Sequence, residues 1–184
     1  RTNVGKSTLL NSFFQKKIAI TSRKPQTTRN RILGILSEKD SQIVFLDTPG
    51  VHLGYKRQLN KVMNKIASHC YEEVDLVLFL IDRLKWQKEE ENILNRLKTL
   101  NKPVVLVINK IDRLKDKTKL LAFIKDISQK FNFLSIIPIS ALKKDNLLEL
   151  KKIILNNLDS GPFHFPDDSI TEFSDNFYIS EIIR

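Results

Sequence analysis

The sequence predicts an α/β fold built on a mostly parallel sheet. Two observations carry that prediction. Residues 76–81 and 104–108 are unbroken apolar runs, closed by Asp82 and Asn109, and amphipathic helical stretches separate and follow them. An apolar run without alternation suits a strand buried on both faces, and alternation of such strands with helices suits a parallel sheet covered by helices. There is no internal repeat.

The elements follow in order. Leu9, Leu10, Phe13 and Phe14 share one face at helical spacing, so a helix follows the mostly polar residues 3–7. Residues 21–31 contain no large apolar side chain and predict a long polar loop, uncommon enough to suggest function. Residues 32–36 and 43–46 read as strands split by a polar turn over 37–42, which predicts a hairpin. Leu59, Met63, Ile66 and Cys70 make a helical stripe over 59–71, suited to core packing. Residues 87–100 predict a charged helix with Ile93, Leu94, Leu97 and Leu100 on one side, and 118–131 a further helix. A strand over 133–139 is interrupted by Pro138, and 145–158 is the last helix. Residues 159–174 gather Gly161, Pro162, Pro166 and several acids and read as a linker. Residues 175–184 open a new apolar pattern (Phe177, Ile179, Ile182, Ile183), too short for a domain and expected to be the start of one. The expected organisation is a domain over 1–158, the linker, and that beginning.

Composition narrows the possibilities. The chain has 184 residues, 41% hydrophobic and 28% charged, which allows one domain with a sizeable core and excludes global disorder. A single cysteine, Cys70, excludes a disulfide scaffold and a thiolate zinc cluster. His52, His69 and His164 lie far apart, which argues against a His-rich metal site. The longest strictly apolar run, 76–81, is far below the ~20 residues that span a bilayer. The opening Arg1-Thr2-Asn3 shows no apolar signal core, so nothing in it points to export. The net charge is +10 and unevenly spread: residues 1–39 carry 9 basic side chains against 1 acidic, and residues 159–184 carry 6 acidic against 1 basic. A basic balance suits phosphates, nucleic acid or anionic lipid, and equally suits a lysine-rich solvated surface.

Four short motifs carry chemistry. Gly5-Lys6-Ser7 opens a helix after a loop. A helix N-terminus offers free N–H groups to phosphate, the lysine a mobile cation, and the serine hydroxyl an oxygen for Mg²⁺; an ordinary helix start has the same residues. The full phosphate-loop pattern needs a further glycine five places before Gly5, so that glycine and the strand feeding the loop are expected to be missing. Asp47-Thr48-Pro49-Gly50 follows a strand, where a carboxylate could hold a water on Mg²⁺ and the Gly50 N–H could meet a γ-phosphate; Pro-Gly also simply makes turns. Asn109-Lys110-Ile111-Asp112 follows the second apolar run. Guanine presents N1–H and an exocyclic amine side by side, which the Asp112 carboxylate matches, while Asn109 would steady the loops and the Lys110 stem lie on the base. Ser140-Ala141 ends the next strand, with the Ala141 N–H expected to donate to guanine O6.

In order, and separated by 41, 62 and 31 residues between Lys6, Asp47, Asn109 and Ser140, these motifs resemble those of the P-loop GTPases. The likeness is closer in Asn-Val-Gly-Lys-Ser-Thr-Leu-Leu-Asn, Ile-Thr-Ser-Arg-Lys-Pro-Gln-Thr-Thr-Arg-Asn-Arg, Asp-Thr-Pro-Gly-Val-His, Phe-Pro-Asp-Asp-Ser-Ile-Thr and the final Ser180-Glu181-Ile182-Ile183-Arg184. These are similar to the Era family of bacterial GTPases, in the TrmE-Era-EngA-like group.

The resemblance implies a Ras-like three-layer α/β/α sandwich whose mostly parallel sheet has one antiparallel strand. Its central first strand is expected to be missing, so the strands over 43–46 and 76–81 are expected not to pair directly. It implies nucleotide binding by Arg1, Thr2, Asn3, Val4, Gly5, Lys6, Ser7 and Thr8, by Asp47, Thr48, Pro49, Gly50 and Val51, and by Asn109, Lys110, Asp112, Ser140 and Ala141. Lys6 and Thr28 are the implied catalytic residues; Ser7, Thr28 and, through water, Asp47 the implied Mg²⁺ ligands; and Asn3 a K⁺ ligand or a turn residue. Thr28 would place loop 21–31 as a switch ordered by GTP. Val51 stands where Ras-like enzymes carry a water-orienting Gln, so slow basal GTP hydrolysis is expected. Arg29 and Arg31 are arginine-finger candidates or surface cations.

For partners, the resemblance implies GTP and GDP, with 16S rRNA and the 30S subunit bound through a KH domain in small-subunit assembly. It further implies a monomer in the cytoplasm, peripheral to the inner membrane. Two other readings stand beside it: a related GTPase acting on tRNA or the large subunit, and an eroded, non-catalytic nucleotide-binding module.

Overall fold

The computed structural model describes residues 3–14, 32–47, 74–100 and 102–166. Arg1, Thr2, Thr28, Arg29, Arg31, Thr48, Pro49, Gly50, Val51, the helix expected over 59–71 and the segment 175–184 lie outside the described residues. The described chain is α/β and divides into two compact units.

The first unit runs from Val74 to Leu158 and includes residues 3–5. Its strands are β3 (Val77–Asp82), β4 (Val104–Asn109) and β5 (Ser135–Pro138), numbered after the two strands of the second unit. They form a parallel sheet in the order β3-β4-β5. Every residue of β4 is buried, as its central place requires. Val77, Phe79, Ile81, Val104, Leu106 and Ile108 share one core cluster with Leu97 and Ile127. Their alternates Leu80, Val105 and Val107 are buried too. Both faces are therefore covered, which is why the two runs show no polar alternation.

Helix α2 (Lys88–Leu97) buries Leu94 and Leu97. Its start is capped by the Glu90 carboxylate, which accepts the Gln87 N–H at 2.9 Å. Helix α3 (Thr118–Ser128) buries Ile127, and α4 (Leu147–Leu155) buries Leu147, Leu150 and Ile154. All three are shorter than the periodicity suggests, because apolar spacing continues into the turns. Leu100 and Phe131 pack on the core from beyond the helix ends. The strand expected over 133–139 is confined to 135–138, where Pro138 closes it. The Ile139 N–H nevertheless donates to the Ile108 carbonyl at 2.8 Å, keeping the chain beside β4 as far as Ser140.

The second unit holds α1 (Lys6–Phe14), β1 (Ile32–Glu38), β2 (Ser41–Asp47) and residues 159–166. Strands β1 and β2 form an antiparallel hairpin in register from Ile32↔Asp47 to Glu38↔Ser41. The polar turn expected over 37–42 is thus corrected to Lys39-Asp40 alone. Ser37, Glu38, Ser41 and Gln42 belong to the ladder, because a two-residue connection lets antiparallel pairing run to the tip. Helix α1 packs on this hairpin through Phe13 and Phe14, whose rings lie 5.3 and 5.9 Å from that of Phe45. Gly34 permits the approach: a Cβ there would sit 2.8 Å from the Phe14 ring.

Strand β2 pairs with β1, and β3 with β4; among the described residues no ladder joins β2 to β3. The part of the expected linker that is described has no regular secondary structure, yet it is held. Gln42 Nε2 donates to the Phe165 carbonyl at 2.9 Å, while its Oε1 accepts the His164 and Phe165 N–H groups at 3.0 Å each.

Candidate nucleotide-binding site

The site starts from strand register. β3 and β4 end side by side, with Asp82 opposite Asn109. Loops that leave the carboxyl ends of parallel strands are where α/β sheets bind ligands. Asn109 is 1% exposed, and its carboxamide is a hub. Nδ2 donates to the Val4 carbonyl at 2.8 Å, and Oδ1 accepts the N–H of Lys110 at 2.8 Å and of Ala141 at 3.0 Å. One side chain thereby binds loop 3–5, its own motif and the turn after β5. The loop must come close to allow this. Gly5 has φ +100, and a Cβ there would fall 2.3 Å from Asn109 Nδ2. Glycine is required on both counts.

The Ala141 N–H, read from sequence as a donor to guanine O6, lies 3.0 Å from Asn109 Oδ1 and donates to it. Burial is the physical reason: an amide oxygen as enclosed as that of Asn109 takes the donors within reach.

Asp112 sits in a short 3₁₀ turn (Ile111–Arg113) and is exposed, so its carboxylate is accessible to a base. Ser140 is fully buried; its Oγ donates to Asp112 Oδ1 at 2.6 Å and accepts the Lys143 N–H at 3.1 Å. Backbone bonds between Ser140 and Asp145, at 3.1 and 3.3 Å, close the turn that holds this serine. The carboxylate is therefore oriented on one oxygen and keeps acceptor capacity for a pair of adjacent donors.

Lys110 has φ +64, and its ammonium reaches back to donate to the Asn3 carbonyl and to Asp82 Oδ2, the latter at 3.2 Å. Asp82 Oδ1 takes Arg83 Nε at 2.9 Å. Burial raises the Asp82 pKa, but the hydrogen bonds from Arg83 and Lys110 together outweigh it and hold the carboxyl below its ordinary value. Sequence alone marks Asp82 as the residue closing the first apolar run and assigns it no role. An acid at the strand end beside Asn109 is the available signal. The contact made by the Ser140 hydroxyl escapes sequence reasoning as well, since only a fold reveals what a serine 28 positions from Asp112 touches.

In the second unit, Lys6, Ser7 and Thr8 form the first turn of α1 and are partly buried. That turn contains no acidic residue, so nothing on it neutralises the helix's positive end. Asp47 is the last residue of β2, paired with Ile32. Ser7 offers a hydroxyl oxygen, a donor type that suits Mg²⁺. Among the described residues, no group of three or more His, Cys, Asp or Glu could hold a metal ion by itself. No described helix is long and apolar enough to cross a membrane.

A family model described as "50S ribosome-binding GTPase" matches residues 1–110. The chain is 50% identical to GTPase Era of Haemophilus influenzae over 184 residues, all of this chain and 61% of that protein. It is likewise 50% identical to GTPase Era of Histophilus somni, again over 100% of this chain and 61% of the relative. The chain thus spans about three fifths of the length of these relatives. Among solved structures, Era in complex with MgGDPNP and nucleotides 1506–1542 of 16S ribosomal RNA matches with a TM-score of 0.92 and 44% identity, covering 98% of this chain and 62% of that one. An Aquifex aeolicus Era variant bound to GDP.AlF4- matches with the same TM-score, identity and coverage.

Proposed function

This chain belongs to the 50S ribosome-binding GTPase family, and from that premise we propose that it is the nucleotide-binding part of an Era-type GTPase. It takes GTP, hydrolyses it to GDP and phosphate, and serves as a switch in small-subunit assembly. The observation that carries the guanine reading is the exposed Asp112 carboxylate, oriented by the buried Ser140 hydroxyl and tied through Asn109 to loop 3–5. Binding to 16S rRNA rests on the solved Era complex and is assigned to the KH domain that the resemblance implies. The family description names the large subunit instead, so a large-subunit role is the competing reading.

In the proposed reaction, water attacks the γ-phosphorus and the bond to the β–γ bridging oxygen breaks, leaving GDP and phosphate. Such a transition state needs placement and charge neutralisation more than covalent help. Lys6 brings a cation to the β- and γ-phosphates, and the N–H groups that open α1 cradle them. Ser7, Asp47 through water, and Thr28 would hold Mg²⁺, which when bound offsets the phosphate charge. Thr48, Pro49, Gly50 and Val51 are proposed to line the γ-phosphate, and Arg1, Thr2 and Thr8 to complete the phosphate loop. Asn3, exposed and with φ +59, is proposed as a K⁺ ligand. Exchange of Na⁺ for K⁺ should then speed hydrolysis. A cytoplasmic monomer peripheral to the inner membrane completes the reading.

The test is competition binding on the intact protein. Guanine nucleotides should displace a fluorescent GDP, and ATP should not, with Mg²⁺-dependent release of phosphate from GTP. Equal displacement by ATP overturns the guanine assignment. Binding without phosphate release makes the chain a non-catalytic module.

A further inference from the structure

Asp82 stands at the centre of a set of contacts that the base-reading role of the neighbouring motif does not require. Five apolar residues precede it in β3, and the parallel register fixes it opposite Asn109. Its two carboxylate oxygens divide between two cations: Arg83 Nε on Oδ1 at 2.9 Å, and Lys110 Nζ on Oδ2 at 3.2 Å. The Asp82 side chain is 16% exposed and that of Lys110 22%, so this ion pair is partly withdrawn from water. The same ammonium donates to the Asn3 carbonyl. The Arg83 N–H donates to the Asn109 carbonyl at 2.9 Å, which ties the residue after Asp82 to the base-reading strand.

Both residues that grip Asp82 have left-handed backbones, Arg83 at φ +52 and Lys110 at φ +64. A non-glycine residue holds that conformation only where its surroundings over-determine it. We infer that Asp82 is a positioning residue for guanine-nucleotide binding: it holds the Lys110 ammonium on the Asn3 carbonyl and so latches the base-reading loop to the phosphate loop. The inference rests on the nucleotide-binding reading above. Lysine has a flexible four-carbon stem and gains rotamer freedom when released. With Asp82 gone, a single neutral carbonyl is left to restrain it. Among the described residues, loop 3–5 then relies on the Asn109 bridge and a loosened Lys110 contact to the base-reading motif. A looser latch speeds nucleotide escape more than it slows entry, because the contact acts on the bound state.

Arg83 has a distinct part. It occupies the carboxylate oxygen that Lys110 does not use and aims the other.

The test measures dissociation of fluorescent GDP from the intact protein by stopped flow. Asp82→Ala should raise the release rate about tenfold, within the usual range for coupled contacting residues, with association nearly unchanged. Asp82→Asn preserves shape without charge and should give a smaller increase. If Asp82→Ala does not fold, the release rate of Asp82→Asn decides the matter. In a Lys110→Met background the Asp82 substitutions should add almost nothing, because the latch is already open. A merely structural role predicts the opposite: the rate effects would multiply. Release at the wild-type rate by both Asp82 variants, or multiplicative effects in the double variants, overturns the inference. Failure of the wild-type protein to bind fluorescent GDP would instead sink the nucleotide reading beneath it.

Discussion

The carboxamide of Asn109 donates to the backbone carbonyl of Val4 at 2.8 Å, joining positions 105 residues apart in a site where both are nearly inaccessible to water. This bond ties loop 3–5 firmly to the strand-end motif. A buried carbonyl left without a donor costs free energy comparable to a lost hydrogen bond.

Asn109→Ala should therefore destabilise the protein by about 1–3 kcal/mol, since it leaves the buried Val4 carbonyl without its donor and removes the acceptor for the Lys110 and Ala141 N–H groups. Gly5→Ala should fail by the same route, because its Cβ would strike Asn109 Nδ2. Urea unfolding of each variant checks both, and a loss under about 1 kcal/mol in Asn109→Ala would show that water replaces the bridge.

Base selection should respond to Asp112 and Ser140 differently. Asp112→Asn exchanges an acceptor pair for one donor and one acceptor, which should shift preference from GTP toward XTP. Ser140→Ala leaves the charge but removes the hydrogen bond that aims it, and should weaken GDP binding about tenfold, near 1.4 kcal/mol, without changing that preference. Competition titrations with GTP and XTP separate the two. An Asp112→Asn protein that still prefers GTP removes Asp112 as the guanine reader.

Gln42 should govern how the segment at His164–Phe165 is held against the β1–β2 hairpin. Its carboxamide serves three backbone groups of His164 and Phe165. Gln42→Ala should speed hydrogen exchange at those two amides while fluorescent-GDP affinity stays within about twofold, since the substitution removes only a local restraint. Unchanged exchange would mean that other contacts hold the segment.

Acid should weaken the fold partly through Asp82. Its folded pKa lies below the unfolded value of about 3.9, so between the two values the unfolded chain binds more protons. The stabilisation is complete at neutral pH, begins to fade below about pH 4, and is gone once pH falls through the folded value. Unfolding free energies of the wild type and Asp82→Asn should therefore converge as pH drops below about 4. A constant gap across that window would show that charge at Asp82 is not what stabilises.

The α/β class, the two buried parallel strands β3 and β4 and the location of Asn109, Asp112 and Ser140 at or just beyond strand ends are legible in the sequence. Each follows from a local property: an apolar run must be buried, and the polar residue that closes it lies at the strand's end. The hairpin is legible too, but its turn reads too wide, because Ser37, Glu38, Ser41 and Gln42 look like turn residues until their ladder partners are known. What tertiary structure alone decides is which polar groups spend their bonds on one another. Nothing in the sequence joins the Ala141 N–H to the Asn109 carboxamide, and the fold does. Asp82 looks like the plain end of a strand, and the fold sets it against Lys110, 28 positions away. A hydrogen bond depends on tenths of an ångström between groups that composition and periodicity cannot bring together, whereas burial depends only on the pattern of apolar residues that the chain carries along its length.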